Sequence, residues 1–290
     1  MFIDIHVHTR KIPGPERNGR QAYATPEQLL ARYDQLRIEK GVLLPGVNPE
    51  CAYVPHSNEE VIAVSRDTGR FIPFCNVDPR AMKNSAEAPL NELLRHYKKQ
   101  GCKGVGEVCA NLPFTDPLVR NLFTHVQETN LPLTFHMAHQ LGGTYGLYDD
   151  PGLPQLERTL QDFPDLVLLG HSQTFWAEMA PLKSPEDRAG YPEHPVDQEG
   201  RVPVLMRKHP NLYGDLSAGS GFNALARDRD YAVTFLNEFS DRLLFGTDIC
   251  APDTPTPLVD FLLELKEDNL ISKGVFNTIA KENAVRLLGI

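Results

Sequence analysis

The chain has 290 residues with 29 basic and 38 acidic side chains, a net charge of −9 with no basic stripe, which argues against a nucleic-acid partner. Its 41% hydrophobic and 23% charged residues exclude a disordered or fibrous protein, and 24 prolines, above the usual ~5%, predict stiff and irregular connections. No apolar run approaches the ~18 residues that span a bilayer, the start Met-Phe-Ile-Asp-Ile-His carries no basic leader, and the scattered Cys51, Cys75, Cys102, Cys109 and Cys250 form no Cys-x-x-Cys, so a cytoplasmic protein with buried free thiols and no membrane partner is expected.

Short apolar, β-branched runs recur at residues 2–7, 41–44, 71–77, 102–108, 131–137, 166–170, 212–216 and 243–246, each bounded by Gly, Pro or Asp. Between them, amphipathic spacing predicts helices at 26–40, 57–68, 87–100, 117–129, 153–163, 231–239 and 256–265, with a last helix at 280–288. Strands that are apolar throughout, rather than alternating, belong to a parallel sheet covered on both faces. Eight strand–helix units in a chain of this size predict an α/β fold, the (β/α)8 TIM barrel, as one domain over residues 1–290, with an open doubly wound sheet as the rival. The charged and proline-rich segment 181–202 fits no unit and reads as an inserted loop.

Chemistry concentrates where these runs end. Asp4-Ile5-His6-Val7-His8 places two imidazoles on one face of the first strand, a pair suited to a divalent metal such as Zn. Glu107, His136, His171 and Asp248 stand at the C-terminal ends of four later runs, the end at which barrel enzymes build their sites. Each alone reads equally well as a helix cap or a structural polar group. Six metal-compatible residues at matching positions point together to a metal site. Arg10 and Arg80, also at strand ends, are candidates for a substrate carboxylate, with His139, Tyr145 and Trp176 as further candidates in the loops beyond the fifth and sixth strands.

This ordered pattern resembles the amidohydrolase superfamily, in the amidohydrolase-related (amidohydrolase 2) family and its aminocarboxymuconate-semialdehyde-decarboxylase-like branch. The resemblance is carried by Asp-x-His-x-His, the strand-end Glu107 and His136, Gly170-His171 and Phe245-Gly246-Thr247-Asp248. It extends to Phe74-Cys75-Asn76-Val77-Asp78-Pro79-Arg80, Asp215-Leu216-Ser217 and Glu282-Asn283-Ala284-Val285-Arg286. It implies His6 and His8 as ligands of the more buried metal with Asp248 in reach, His136 and His171 as imidazoles of strands five and six, and Glu107 in the place where some members bridge two metals. Many members of the branch use one metal and no ligand at that place, so one or two ions, with Zn first and Mn, Fe or Co as alternatives, fit the pattern.

The reading that follows is a metal-dependent hydrolase of a small, carboxylated or cyclic molecule. A metal lowers the pKa of water to about 7, Asp248 shuttles the proton, and His171 holds substrate or orients the water. Decarboxylation of an aromatic or unsaturated acid at the same ligands is the alternative, and a non-catalytic metal-containing binding protein a lower one. Many relatives are homodimers. Gly170-His171-Ser172-Gln173-Thr174 nearly matches a serine-esterase elbow, but Thr174 replaces its last Gly and no His follows His209 to complete a triad.

Overall fold

The computed structural model describes residues 1–51 and 54–290. Eight parallel strands form the frame: β1 Phe2–Val7, β2 Ile38–Leu43, β3 Phe71–Pro73, β4 Val105–Val108, β5 Leu133–Ala138, β6 Leu168–His171, β7 Leu212–Asp215 and β8 Leu243–Leu244. Two ladders, β1-β2-β3 and β4-β5-β6-β7-β8, join at both ends. Cys75 N donates to the Gly104 carbonyl at 3.0 Å and Gly106 N to the Cys75 carbonyl at 2.8 Å, while Ile5 N donates to the Phe245 carbonyl at 2.9 Å and Asp248 N to the His6 carbonyl at 2.8 Å. The sheet thereby closes into the expected TIM barrel.

Six of the strands are shorter than the apolar runs, because backbone pairing stops where the chain bends toward the rim; β1 fills its run, and β2 starts three residues before its own. A two-residue strand that the sequence did not announce, Leu147–Tyr148, pairs with β5. Local chemistry sets the helices. Thr25 caps Pro26–Leu36 with a capping box to Gln28, and Asp116 caps Pro117–Thr129 ahead of a proline at the first helical position. The predicted 26–40 helix ends early, with Arg37 left-handed, because residues from Ile38 pair as β2. The 181–202 segment carries the short helix Pro185–Ala189 and runs into Arg201–Lys208, whose N-cap is Gly200. No helix among the described residues is long and apolar enough to cross a membrane.

Packing divides into two layers. Phe2, Leu43, Phe71, Val105, Leu133, Leu168 and Leu243 face helix residues such as Leu29, Val61, Leu122, Leu156 and Leu262. Ile3, Ile5, Val42, Leu169 and Leu244 pack instead with Ala284 and Leu288 of the C-terminal helix, filling the barrel and closing its lower end. That floor leaves only the upper rim for polar groups, and the register of β1 on β2 shifts between Asp4 and Val7, where the strand passes from packing residues to His6 and His8.

Candidate metal centre and active site

The site starts from a buried carboxylate that fixes the first strand. Asp4, without solvent exposure, accepts Tyr33 Oη at 2.7 Å, Thr247 N at 2.9 Å and Oγ1 at 2.5 Å, and His6 N at 3.0 Å. It ties β1 to the first helix and to the turn after β8, so His6, His8 and Asp248 share one anchor. His6 Nδ1 lies 2.7 Å from Asp215 Oδ2, and His8 Nδ1 lies 3.1 Å from the Leu44 carbonyl. Each ring therefore commits its Nδ1 hydrogen to an acceptor and turns its Nε2 to the cleft.

Those two Nε2 atoms are 3.2 Å apart. Glu107 Oε2 stands 3.6 Å from the first and 3.8 Å from the second, and Asp248 Oδ1 stands 3.7 and 3.6 Å from them. Both carboxylate oxygens thus lie within 3.8 Å of both ring nitrogens. A tetrahedron with bonds of about 2.1 Å has edges of about 3.4 Å, so the donor set fits a divalent ion.

Glu107 turns its other oxygen the opposite way. Oε1 is 2.6 Å from His136 Nδ1 and 3.7 Å from His171 Nε2. Its backbone carbonyl accepts Asn76 Nδ2 at 2.6 Å, and its peptide bond with Gly106 is cis. Gly106 has φ +132°, and a Cβ there would lie 2.5 Å from the Thr134 carbonyl oxygen, so only glycine lets β4 approach β5 at this height. His171 is held from behind by Ser217 Oγ, 3.0 Å from its Nδ1, and its Nε2 lies 3.9 Å from Asp248 Oδ2. The Tyr145 ring covers His136 at a centroid distance of 4.5 Å.

Burial and mutual charge divide the protonation states. Burial lowers His8 to about 4 and His171 to about 3, in each case with the charge of His6 adding to it. Burial alone would lower His6 too, but Asp215 and Asp248 hold it well above the usual imidazole value. Burial opposes ionisation of Glu107, yet His136 and His6 keep it well below the usual carboxylate range. Asp248 rises to about 7 through burial, with Glu107 and Asp215 adding repulsion. Neutral His8 and His171 keep the lone pairs a metal needs.

A cleft opens above these groups. Of the six expected ligands, His8, Glu107, His136 and Asp248 reach its wall, and His6 and His171 lie buried just behind. Arg10 lines the cleft as expected, its guanidinium 4.4 Å over the Tyr23 ring and donating to the Val54 carbonyl. Tyr145 is also in the wall. Three expected substrate contacts are elsewhere. Arg80 is locked against Glu50 at 2.7 Å and Asp78 at 2.7 Å, because the loop after β3 folds its guanidinium between two carboxylates. Trp176 is buried, its Nε1 donating to the Asp215 carbonyl at 2.9 Å and its ring against Gly214, so it braces β7 from outside. His139 lies outside the cleft wall, and its carbonyl faces Arg188.

Several contributors were not singled out from sequence. Asp215 was visible only as part of a strand-end Asp-Leu-Ser, and Ser217 and Asn76 resemble ordinary loop residues. His56, Cys51, Cys109 and Cys250 also line the cleft, though nothing in their spacing announces it. Ser172, the apparent esterase serine, is fully buried: its Oγ donates to the Met137 carbonyl at 2.9 Å and accepts Phe175 N at 3.3 Å, capping a short helix outside the cleft.

A family model described as amidohydrolase matches residues 3–290. Comparison with curated proteins returns no match. Among solved structures, an uncharacterized TIM-barrel protein from Bordetella bronchiseptica is 17% identical, with 99% of this chain and 98% of that chain covered and a TM-score of 0.66. A probable 2-pyrone-4,6-dicarboxylic acid hydrolase from Acinetobacter baumannii, solved with citric acid, is 15% identical over 100% and 99% with a TM-score of 0.60. A 5-carboxyvanillate decarboxylase from Novosphingobium aromaticivorans, solved with manganese, is 14% identical over 100% and 96% with a TM-score of 0.64. At these identities the likeness shows the shared fold.

Proposed function

The chain belongs to this amidohydrolase family, and from that premise we propose that it is a metal-dependent hydrolase of a small, carboxylated or cyclic substrate. Glu107 carries the reading. One of its oxygens faces His6 and His8 and the other faces His136, so a single carboxylate stands between two groups of imidazoles. Many single-metal members of the branch need no ligand at that place, which favours hydrolysis here.

His6, His8, Asp248 and Glu107 would hold a first ion, and Glu107 with His136 is placed toward a second, with His171 Nε2 beside it at 3.7 Å from Glu107 Oε1; zinc fits best, and manganese, iron or cobalt also suit nitrogen and oxygen donors. When bound, such an ion supplies Lewis acidity that activates water near neutral pH and polarises a carbonyl. The protein's own groups divide the rest. Asp248 Oδ1 faces His6 and His8, which leaves Oδ2, on the side of His171, to take a proton from water and return it to the leaving group. His171, kept neutral and braced by Ser217, orients the substrate. Arg10, steadied by Tyr23, offers a charged fork to a substrate carboxylate.

The test is turnover of carboxylated lactones, esters and amides in ¹⁸O-labelled water, run beside carboxylated aromatic acids. Label incorporated into a ring-opened or cleaved product is the expected result. Release of carbon dioxide with no label in the organic product would move the chain to the decarboxylases, and metal retention with no turnover of any class would move it to the non-catalytic binders.

A further inference from the structure

Thiols meet carboxylate and imidazole on one side of this cleft. Glu107 and Cys109 are two residues apart at the end of β4, and His136 stands on β5, paired with β4 through Val105 opposite Leu133 and Val108 opposite Phe135. One ligand atom from each of the three lies within 4.8 Å of the other two, with Glu107 Oε1 and His136 Nδ1 only 2.6 Å apart. Cys109 is 3% exposed, its N donates to Asn48 Oδ1 at 2.8 Å, and it belongs to the cleft wall. The group is distinct from His6, His8 and Asp248, which gather around the other oxygen of Glu107.

We propose that Glu107, Cys109 and His136 form a second metal position that contains sulfur, and that it selects zinc or another thiophilic ion over manganese. The proposal deepens the metal-dependent reading above and rests on it. Three protein ligands of nitrogen, oxygen and sulfur type leave a coordination place open, the arrangement of a catalytic rather than a structural zinc position. The ion replaces the proton that His136 and Glu107 share, and the Cys109 thiol gives up its own proton on binding. Thiolate is a soft ligand, whereas the first position offers only imidazole and carboxylate, so the two positions differ in which ions they prefer.

The experiment strips the full-length chain with a chelator and titrates it with Co²⁺, reading visible d–d bands and the near-ultraviolet thiolate-to-cobalt band together with bound metal. The expected result is two equivalents, the second bringing the charge-transfer band. Cys109→Ser and Cys109→Ala both lose that band and weaken the second equivalent at least tenfold, while the d–d bands of the first persist and report an intact fold. Cys51→Ser and Cys250→Ser keep the band, although both thiols line the same cleft. Zn²⁺ should displace the second cobalt and Mn²⁺ should not. Two equivalents with no charge-transfer band, a band that survives in both Cys109 variants, or a band lost in Cys51→Ser overturns the sulfur position. One equivalent without the band overturns it and leaves the metal-dependent reading standing, and no binding overturns both.

Discussion

Asp215→Asn changes one charge and no volume. Asp215 has no solvent exposure, its Oδ2 takes the His6 Nδ1 hydrogen at 2.7 Å, and its Oδ1 takes Ser217 N at 3.0 Å. A carboxylate accepts at both oxygens. The amide must turn its NH2 either at the His6 hydrogen or at the Ser217 hydrogen, so one donor loses its acceptor, and His6 loses the negative charge that makes its Nε2 basic. Removing such a partner of a ligating histidine weakens metal binding 10- to 100-fold, about 1.4 to 2.7 kcal/mol. Competition between the apo protein and a chromophoric chelator measures this directly, with circular dichroism confirming the fold. An affinity unchanged from wild type would refute the claim that Asp215 orients a metal ligand.

Arg10→Ala should raise KM for a carboxylated substrate about 10- to 100-fold, the worth of a charge-assisted hydrogen bond, with little effect on an uncharged analogue; an equal rise for both would remove Arg10 from substrate recognition. Ser172→Ala should cost about 1 to 2 kcal/mol in urea unfolding by losing a buried cap, and should leave turnover intact. Loss of turnover with fold and metal retained would restore the serine-nucleophile reading. Burial raises the fully buried Asp149 from 3.8 to about 6, so its folded state favours the protonated form. Its contribution is present below pH 4 and is lost as pH rises through 6, roughly 3 kcal/mol in all. The stability of wild type relative to Asp149→Asn should fall by that amount between pH 4 and pH 7, and a flat difference would contradict it.

The architecture was legible because parallel strands buried on both faces leave a strong signature. Phe2–Val7 and Pro117–Thr129 stand where the pattern puts them, the second marked by Asp116 and a proline. Strand ends were less legible, since an apolar residue packs equally well just beyond the last ladder bond. Helix Ala218–Ala226 was hidden by Gly219-Ser220-Gly221, residues that favour turns, because barrel packing overrides local preference there. The six strand-end residues could be gathered because topology assigns every strand end to one rim. Arg80 shares that address, yet its partners Glu50 and Asp78 decide its orientation, and no spacing announces them. The same limit concealed Cys51, Cys109 and Cys250, which are far apart in sequence and meet only when the barrel closes.

The central claim is that Glu107 stands between two metal positions. Metal content per chain, measured by mass spectrometry on untagged protein purified without chelator, tests it for wild type and Glu107→Ala side by side. Close to two equivalents in wild type and close to one in the variant is the predicted result. One equivalent in both would contradict the bridging role and favour chemistry on a single metal, and none in either, even after metal is added back, would contradict the site itself.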